Sequence, residues 1–452
     1  MTADLNKTIL KYDQQVPRYT SYPTAPHFSA DMDGNKYAKW LSNLADDQGI
    51  SLYFHIPFCV KMCSYCGCHT TITNRYDPIE EYVRILLDEI RLVAKNIGKK
   101  KIVSDIHFGG GSPSFLRNED FLQIMQVTRQ LFDIAENAEI AVEIDPRNIT
   151  EDKVAAYAQA GVNRISMGVQ DLNEDVQIAI NRVQPFEMVK QTVDYLRQYG
   201  INAINMDLIY GLPLQSLEYI KKSVELVASL NPNRIALFGY AHVPWMKSHM
   251  RLIKDEDLPN ACSRLDLYNL AVEEICKRGY TQVGIDHFVK DDDNMAIALK
   301  NKKLHRNFQG YTTHKTSVLI GMGASSIGAF PEGYVQNNTN IKLYKEAIAE
   351  GKLPIIKGIE INDDDRLRRD IINSIMCDME VDIEKICARH GVSSDIFISN
   401  IAEIQTLAKD GLVFIDGMKI KMNLKARSLA RIVCAAFDKY LKKEEKKHSM
   451  AV

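Results

Sequence analysis

Four of the nine cysteines crowd into one stretch, Cys59, Cys63, Cys66 and Cys68, spaced C-x3-C-x2-C-x-C. Thiolates are soft ligands that suit iron–sulfur clusters and zinc. Three of them around a four-iron cluster leave one corner without a protein ligand. An open metal position can bind and activate a small molecule. A structural zinc site asks for four ligands, commonly as two separated pairs. Here all four cysteines lie within ten residues and no second CxxC follows. Disulfide pairing needs an oxidising compartment, and the start of the chain, Met1-Thr2-Ala3-Asp4-Leu5, carries no apolar signal region. A reducing compartment, most simply the cytoplasm, is expected. Cys262, Cys276, Cys377, Cys387 and Cys434 fall on amphipathic stretches and read as core thiols.

Something must hold this loop beside other chemistry. From residue 50 the chain alternates apolar runs with helical periodicity. The runs are 51–57, 101–108, 139–146, 164–170, 203–211 and 234–241. Six β/α units predict an α/β fold, a curved and partly open (β/α)6 barrel wound right-handedly. Polar residues gather where the runs end: Glu143, Asp145, Gln170, Asp207, Tyr210 and His242. The C-terminal rim of a parallel barrel is where active sites form, and the cysteine loop follows the first strand onto it.

The remaining segments read as attachments. Residues 1–47 are an N-terminal arm, in which three prolines and two tyrosines over 17–26 predict an extended strap or a lid. Residues 48–340 hold the barrel and an extension. Residues 282–288 read as one further strand. The glycine-rich stretch 321–328 does not fit G-x-G-x-x-G and reads as a loop that lets backbone approach a ligand closely. Residues 360–440 predict a small, mainly helical, winged-helix-like domain that ends in a helix over 426–440, and 441–452 a solvated tail. The charge of −2 over 452 residues excludes a chain-wide nucleic-acid surface, and no apolar run reaches the ~20 residues that span a bilayer.

The C-x3-C-x2-C motif with Tyr65 before its third cysteine is similar to the radical S-adenosylmethionine (SAM) superfamily signature. The strap at 17–25, His55-Ile56-Pro57-Phe58-Cys59, the Cys66-Gly67-Cys68 ending, the Gly109–Pro113 loop, residues 209–213 and residues 305–313 together resemble the oxygen-independent coproporphyrinogen III oxidase family. The resemblance runs from about residue 10 to residue 440. Gly109-Gly110-Gly111 stands where many radical SAM proteins have Gly-Gly-Glu, and Ser112 where relatives commonly have Thr.

This resemblance implies oxidative decarboxylation of two propionates of coproporphyrinogen III to vinyls, giving protoporphyrinogen IX. It implies a partial TIM-like radical SAM barrel with one [4Fe–4S] cluster on Cys59, Cys63 and Cys66. SAM on the open iron would be cleaved to a 5′-deoxyadenosyl radical. It implies two SAM molecules, the first contacted by Tyr53, Gly110, Glu143 and Ile327. The second would be contacted by Tyr65, Gly111, Ser112, Gln170, Arg182, Asp207 and Ala241. No catalytic residue beyond the cluster and SAM is expected. Taken singly, Glu143 or Asp207 could instead pair with an arginine and Arg182 could cap a helix. Cys68 is a spare ligand, a tuner of the cluster or a buried thiol. Four propionates need local cations, and Arg18, Lys61, His305 and Arg306 are candidates, with Arg18 and Arg306 expected to hold propionates. A flavodoxin- or ferredoxin-like electron donor, a separate electron acceptor and a monomer are expected. The competing readings are a haem chaperone with the same cofactors, and a radical SAM haem-degrading or methyl-transferring enzyme.

Overall fold

The computed structural model describes residues 2–313 and 317–441, so all of the expected tail except residue 441 lies outside the described residues. Six parallel strands form the frame: β1 (Ile50–Ile56), β2 (Ile102–Gly110), β3 (Asp133–Ile144), β4 (Arg164–Gln170), β5 (Ala203–Tyr210) and β6 (Arg234–Gly239). They pair in sequence order, each with the next. β1 is buried at six of its seven positions, the near-continuous apolar run of a strand covered on both faces. The covering helices show why: in Asp77–Ile97, Ile79, Tyr82, Val83, Leu86, Leu87, Ile90, Val93 and Ile97 face inward at helical spacing. Pro78 lies in its first turn with Asp77 and Glu80, and Gly98, at φ +79°, ends it.

Six further strands extend this sheet at its edges: β7 (Thr281–Val283), β8 (His287–Val289), β9 (Leu319–Met322), β10 (Ile327–Phe330), β11 (Gly333–Asn337) and β12 (Ile355–Glu360). The 12-stranded order is β12-β11-β10-β9-β1-β2-β3-β4-β5-β6-β8-β7. β9 runs parallel to β1, and the outer strands are antiparallel. One expectation changes here and a second is refined. Residues 282–288 make the tight antiparallel pair β7 and β8, not one strand. The stretch 321–328 is the β9–β10 hairpin: a Cβ on Gly321 would stand 2.7 Å from the Ile327 carbonyl, so at that glycine the close approach is strand against strand, while Ser325, Ser326 and Ile327 line a cavity.

Beyond β12, helices Asp363–Asp378, Ile383–Arg389 and Ile398–Lys409 surround a three-stranded sheet whose hairpin is Val413–Asp416 and Lys419–Met422. The helix expected over 426–440 is shorter, a 3-10 segment Leu424–Leu429 followed by Ala430–Ala435. The arm accounts for the break. Tyr19 donates to the Asp438 carboxylate (3.1 Å), Lys439 N–H donates to the Tyr22 hydroxyl (3.0 Å), and Tyr440 donates to Asp365 (2.9 Å). Tyr19 and Tyr22 are each 1% exposed. The arm is therefore a strap whose tyrosines lock the C-terminal segment, with a helix over Thr2–Lys11 ahead of it. One hydrophobic core runs from Ile9 through the barrel to Phe437. Among the described residues no helix is long and apolar enough to cross a membrane. Cys377, Cys387 and Cys434 are core thiols as expected, but Cys262 and Cys276 lie exposed.

Candidate active site

The cysteine loop is pinned at both ends. Phe58–Cys59 pairs with Thr71–Ile72, and Gly111 and Ser112 N–H groups donate to the Ile56 and Phe58 carbonyls, both at 2.9 Å. A Cβ on Gly111 would stand 2.7 Å from the Phe58 carbonyl, so glycine permits this seam. Inside the loop, outside side chains hold the carbonyls: Asn181 that of Met62 (2.7 Å), His249 that of Cys66 (2.7 Å) and Lys247 that of Cys68 (2.9 Å). Protein groups alone thus fix the backbone of the loop.

Each leading thiol has its own surroundings. The Thr70 hydroxyl donates to Cys59 Sγ (3.2 Å), and burial pushes that thiol up to about 11. Cys63 is buried, with Arg147 and Arg182 each 3.6 Å from its sulfur. Cys66 is half-buried beside exposed Cys68, whose thiol hydrogen bond draws the Cys66 pKa down. Among the described residues no three Cys, His, Asp or Glu side chains are grouped to hold a single metal ion.

Two cavities open on the rim. One, of about 350 Å³, is lined by Tyr53, His55, Glu143, Gln309, Ser326 and Ile327 among others. Glu143 accepts from His107 (2.9 Å) and from the Gly110 N–H (3.2 Å). Desolvation would raise its pKa, but the His107 hydrogen bond and charge and the Gly110 N–H hold it below the usual carboxylate value. Tyr53, Gly110, Glu143 and Ile327 thus come together. The other cavity, of about 330 Å³, is lined by Arg18, Arg264, Arg306 and Arg431 against the single carboxylate of Asp286. Burial, and then the charges of Arg18 and Arg306, push the Arg431 pKa down to about 10. Arg306 faces the Tyr311 ring at 4.6 Å, and its Nε and Nη1 are buried without a hydrogen-bond partner. Phe308 and Gln309 line both cavities, so the two share a wall.

The second expected set spreads along the rim and does not line one cavity. A Cβ on Gly168 would meet both Gln170 (2.6 Å) and Arg182 (3.1 Å), which therefore lie side by side. Arg182 caps no helix: it pairs with Asp145 (3.0 Å) and donates to the Gly168 carbonyl (2.8 Å). Among the described residues Asp207 has no arginine partner; Ser166 (3.1 Å) and Asn205 (2.7 Å) donate to it. Burial, and then the charge of Glu143, push the Asp207 pKa up to about 6. Tyr65 packs against the small apolar cluster that includes Val176, Ile180 and Tyr240, Ser112 shares a hydrogen bond with Ser114 (2.8 Å), and Ala241 lines the arginine cavity. His305 is exposed and lines neither cavity, and Lys61 is exposed. Arg264, Asp286 and Arg431 were not expected at the site. Arg431 comes from the last helix, and no local pattern ties that helix to the rim.

Orphaned buried polar atoms mark where a polar ligand fits. Arg182 Nε and Asn205 Oδ1 are buried without partners, on the side chains that neighbour Cys63 and Asp207 respectively. Three soft thiols with carboxylates and unsatisfied donors suit an iron–sulfur cluster and a polar cofactor.

Residues 53–227 match the Radical SAM superfamily. The chain is 47% identical over 452 residues, the full length of both, to an oxygen-independent coproporphyrinogen III oxidase of Bradyrhizobium diazoefficiens. It is 38% identical to one of Escherichia coli, over 96% of this chain and 95% of that protein. A solved structure described as coproporphyrinogen III oxidase from Escherichia coli, a radical SAM enzyme, superposes with a TM-score of 0.90 at 38% identity. It covers 95% of this chain and 100% of that one. The parallel barrel, the cysteine loop at its rim and likeness along the whole length agree, and the chain belongs to the oxygen-independent coproporphyrinogen III oxidases of the radical SAM superfamily.

Proposed function

We propose that this chain decarboxylates two propionates of coproporphyrinogen III to vinyls, giving protoporphyrinogen IX. The observation that carries the reading is an arginine-lined cavity sharing a wall with the Glu143 cavity on the rim that holds the cysteine loop. A tetrapyrrole with four carboxylates finds matching charge there. Cys59, Cys63 and Cys66 would hold a [4Fe–4S] cluster, and a reduced cluster with SAM at its open iron supplies a hydrogen-abstracting 5′-deoxyadenosyl radical. Tyr53, Gly110, Glu143 and Ile327 would hold one SAM. Tyr65, Gly111, Ser112, Gln170, Arg182, Asp207 and Ala241 would hold a second. Glu143 and Asp207 can accept hydrogen bonds from ligand hydroxyls or ammonium. The strap and the last helix wall the cavity and keep water from the reacting centre. In this reading the chain acts as a monomer, and a flavodoxin- or ferredoxin-like protein would supply electrons to a cytoplasmic enzyme. The test is anaerobic reconstitution with iron, sulfide, SAM, reductant and coproporphyrinogen III. Protoporphyrinogen, CO2 and 5′-deoxyadenosine should all appear; their joint absence from a fully loaded protein rejects the reading.

Arg18 and Arg306 are the propionate holders in this reading. A lost charge-assisted hydrogen bond costs about 1.5–3 kcal/mol, so Arg18→Ala and Arg306→Ala should each weaken coproporphyrinogen binding about 10–100-fold. SAM affinity should stay unchanged. Equal substrate affinity in both variants would remove the assignment.

Asp207 links stability to binding. Its folded pKa lies above the usual value, so its contribution to stability is complete below about 3.9 and is lost as pH rises through about 6. Asp207→Asn should therefore raise stability at pH 7.5, by about 1–3 kcal/mol, while weakening SAM binding. Wild-type SAM affinity should fall as pH drops through 6, and the variant's profile should be flat there. Calorimetric titration across pH 5–8 checks both.

A further inference from the structure

Arg147 has no place in the SAM or substrate assignments above, yet it points at a cysteine sulfur. Its Nε and Nη2 both grip the Asp145 carboxylate, at 2.9 and 2.6 Å, and Nη2 also reaches Cys63 Sγ at 3.6 Å. Arg182 approaches the same carboxylate and the same sulfur from another element. Asp145 follows β3 and starts the short Pro146–Asn148 turn, where it accepts the Arg147 backbone N–H at 3.1 Å. Arg147 is thus aimed by its own turn and not by chance packing. Side-chain exposures are low throughout, 18% for Arg147, 10% for Asp145 and 8% for Arg182. Two guanidiniums and one carboxylate leave one positive charge against a buried thiolate position, where charges are poorly screened.

We propose that Arg147, steered by Asp145, sets the reduction potential of the cluster held by Cys63, by placing a hydrogen-bond donor and the surplus positive charge at that sulfur. Iron–sulfur potentials respond to hydrogen bonds to sulfur and to net local charge, and an added electron is stabilised by both. Arg182 with Asp145 is a neutral pair; Arg147 supplies the surplus. Removing Arg147 leaves local charge zero and makes reduction harder. Neutralising Asp145 leaves two positive charges and makes it easier. A purely structural clamp would not give opposite signs.

This inference rests on the cluster assignment above. The test is an EPR-monitored redox titration of the full chain, reconstituted without air and without SAM, with iron counted per chain. Arg147→Gln should lower the reduced-to-oxidised ratio at fixed potential about tenfold, a shift of about 59 mV for one electron. Arg147→Lys should recover most of that ratio, and Asp145→Asn should raise it above wild type. A fully loaded Arg147→Gln protein with the wild-type midpoint overturns the proposal. If that variant takes up no cluster, Asp145→Asn decides: a loaded protein titrating at or below the wild-type midpoint overturns it. Wild-type chain that takes up no four-iron cluster instead rejects the cluster assignment itself, a distinguishable failure.

Discussion

Cys63→Ala should abolish 5′-deoxyadenosine and CO2 production to background while leaving the fold intact. Cys63 is 6% exposed, and the nearby Asp145 carboxylate is engaged by the same two guanidiniums that approach the sulfur, so neither bulk water nor that carboxylate is free to replace it. Of the three assigned ligands only Cys59 and Cys66 remain, with exposed Cys68 as the one further thiol of the loop, and iron per chain should fall with activity. Cys59→Ala and Cys66→Ala should behave alike. Stability should change little, by about 1 kcal/mol, because only a sulfur is lost and the loop is held by Asn181, His249, Lys247 and the Thr71–Ile72 pairing. The exposed thiols Cys262 and Cys276 are the controls, and their alanine variants should keep iron and turnover. Cys68→Ala separates the readings of that residue: normal iron with altered EPR marks a tuner, and reduced iron a ligand. Wild-type iron content and turnover in Cys63→Ala would reject the ligand assignment.

What could be read from the residues follows from which interactions are local. The six barrel strands are buried on both faces, so each appears as an apolar run between a helical stretch and a turn. Gly161 and Gly200, at φ +83° and +81°, punctuate two of those turns. The cysteine loop was legible because ligands to one cluster must be close in sequence or held there. Tyr53, Gly110, Glu143 and Ile327 followed from the family resemblance, and the fold brings them together. The β9–β10 hairpin was not legible: glycine that admits a neighbouring strand has the same letter as glycine that admits a ligand. The early end of the last helix was hidden for a longer-range reason. Its Asp438 and Lys439 are captured by Tyr19 and Tyr22, more than 400 residues away. Arg431 and Arg264 face the same difficulty, since only the assembled rim shows that four arginines share one cavity.

Glu89→Ala should cost about 3–5 kcal/mol of stability, a large part of a typical domain's total. Glu89 is 1% exposed and receives three donors, Gly323 N–H, the Tyr344 hydroxyl and Asn337 Nδ2, each at 2.6 Å. Beside it the Tyr82 hydroxyl accepts from Ala324 N–H (2.9 Å) and donates to the His55 carbonyl (2.8 Å). This network joins the Asp77–Ile97 helix to the β9–β10 turn and to the end of β1, from which the cysteine loop departs. Alanine leaves the buried Gly323 N–H and Tyr344 hydroxyl without their acceptor, and Asn337 Nδ2 with only the Gly323 carbonyl (3.0 Å). Glutamine keeps the volume but turns an amide donor toward other donors, and should cost less, about 1–2 kcal/mol. Burial outweighs the three hydrogen bonds and lifts the Glu89 pKa to about 7. The extra stability from this shift is complete below about 4.3 and is lost as pH rises through 7, so the margin over Glu89→Ala should widen from pH 8 to pH 5. Urea unfolding at the two pH values measures it, and SAM affinity should weaken with it because His55 and Ile327 line the adjoining cavity. A Glu89→Ala chain with the wild-type urea midpoint would show that the network does not hold β1 against β9.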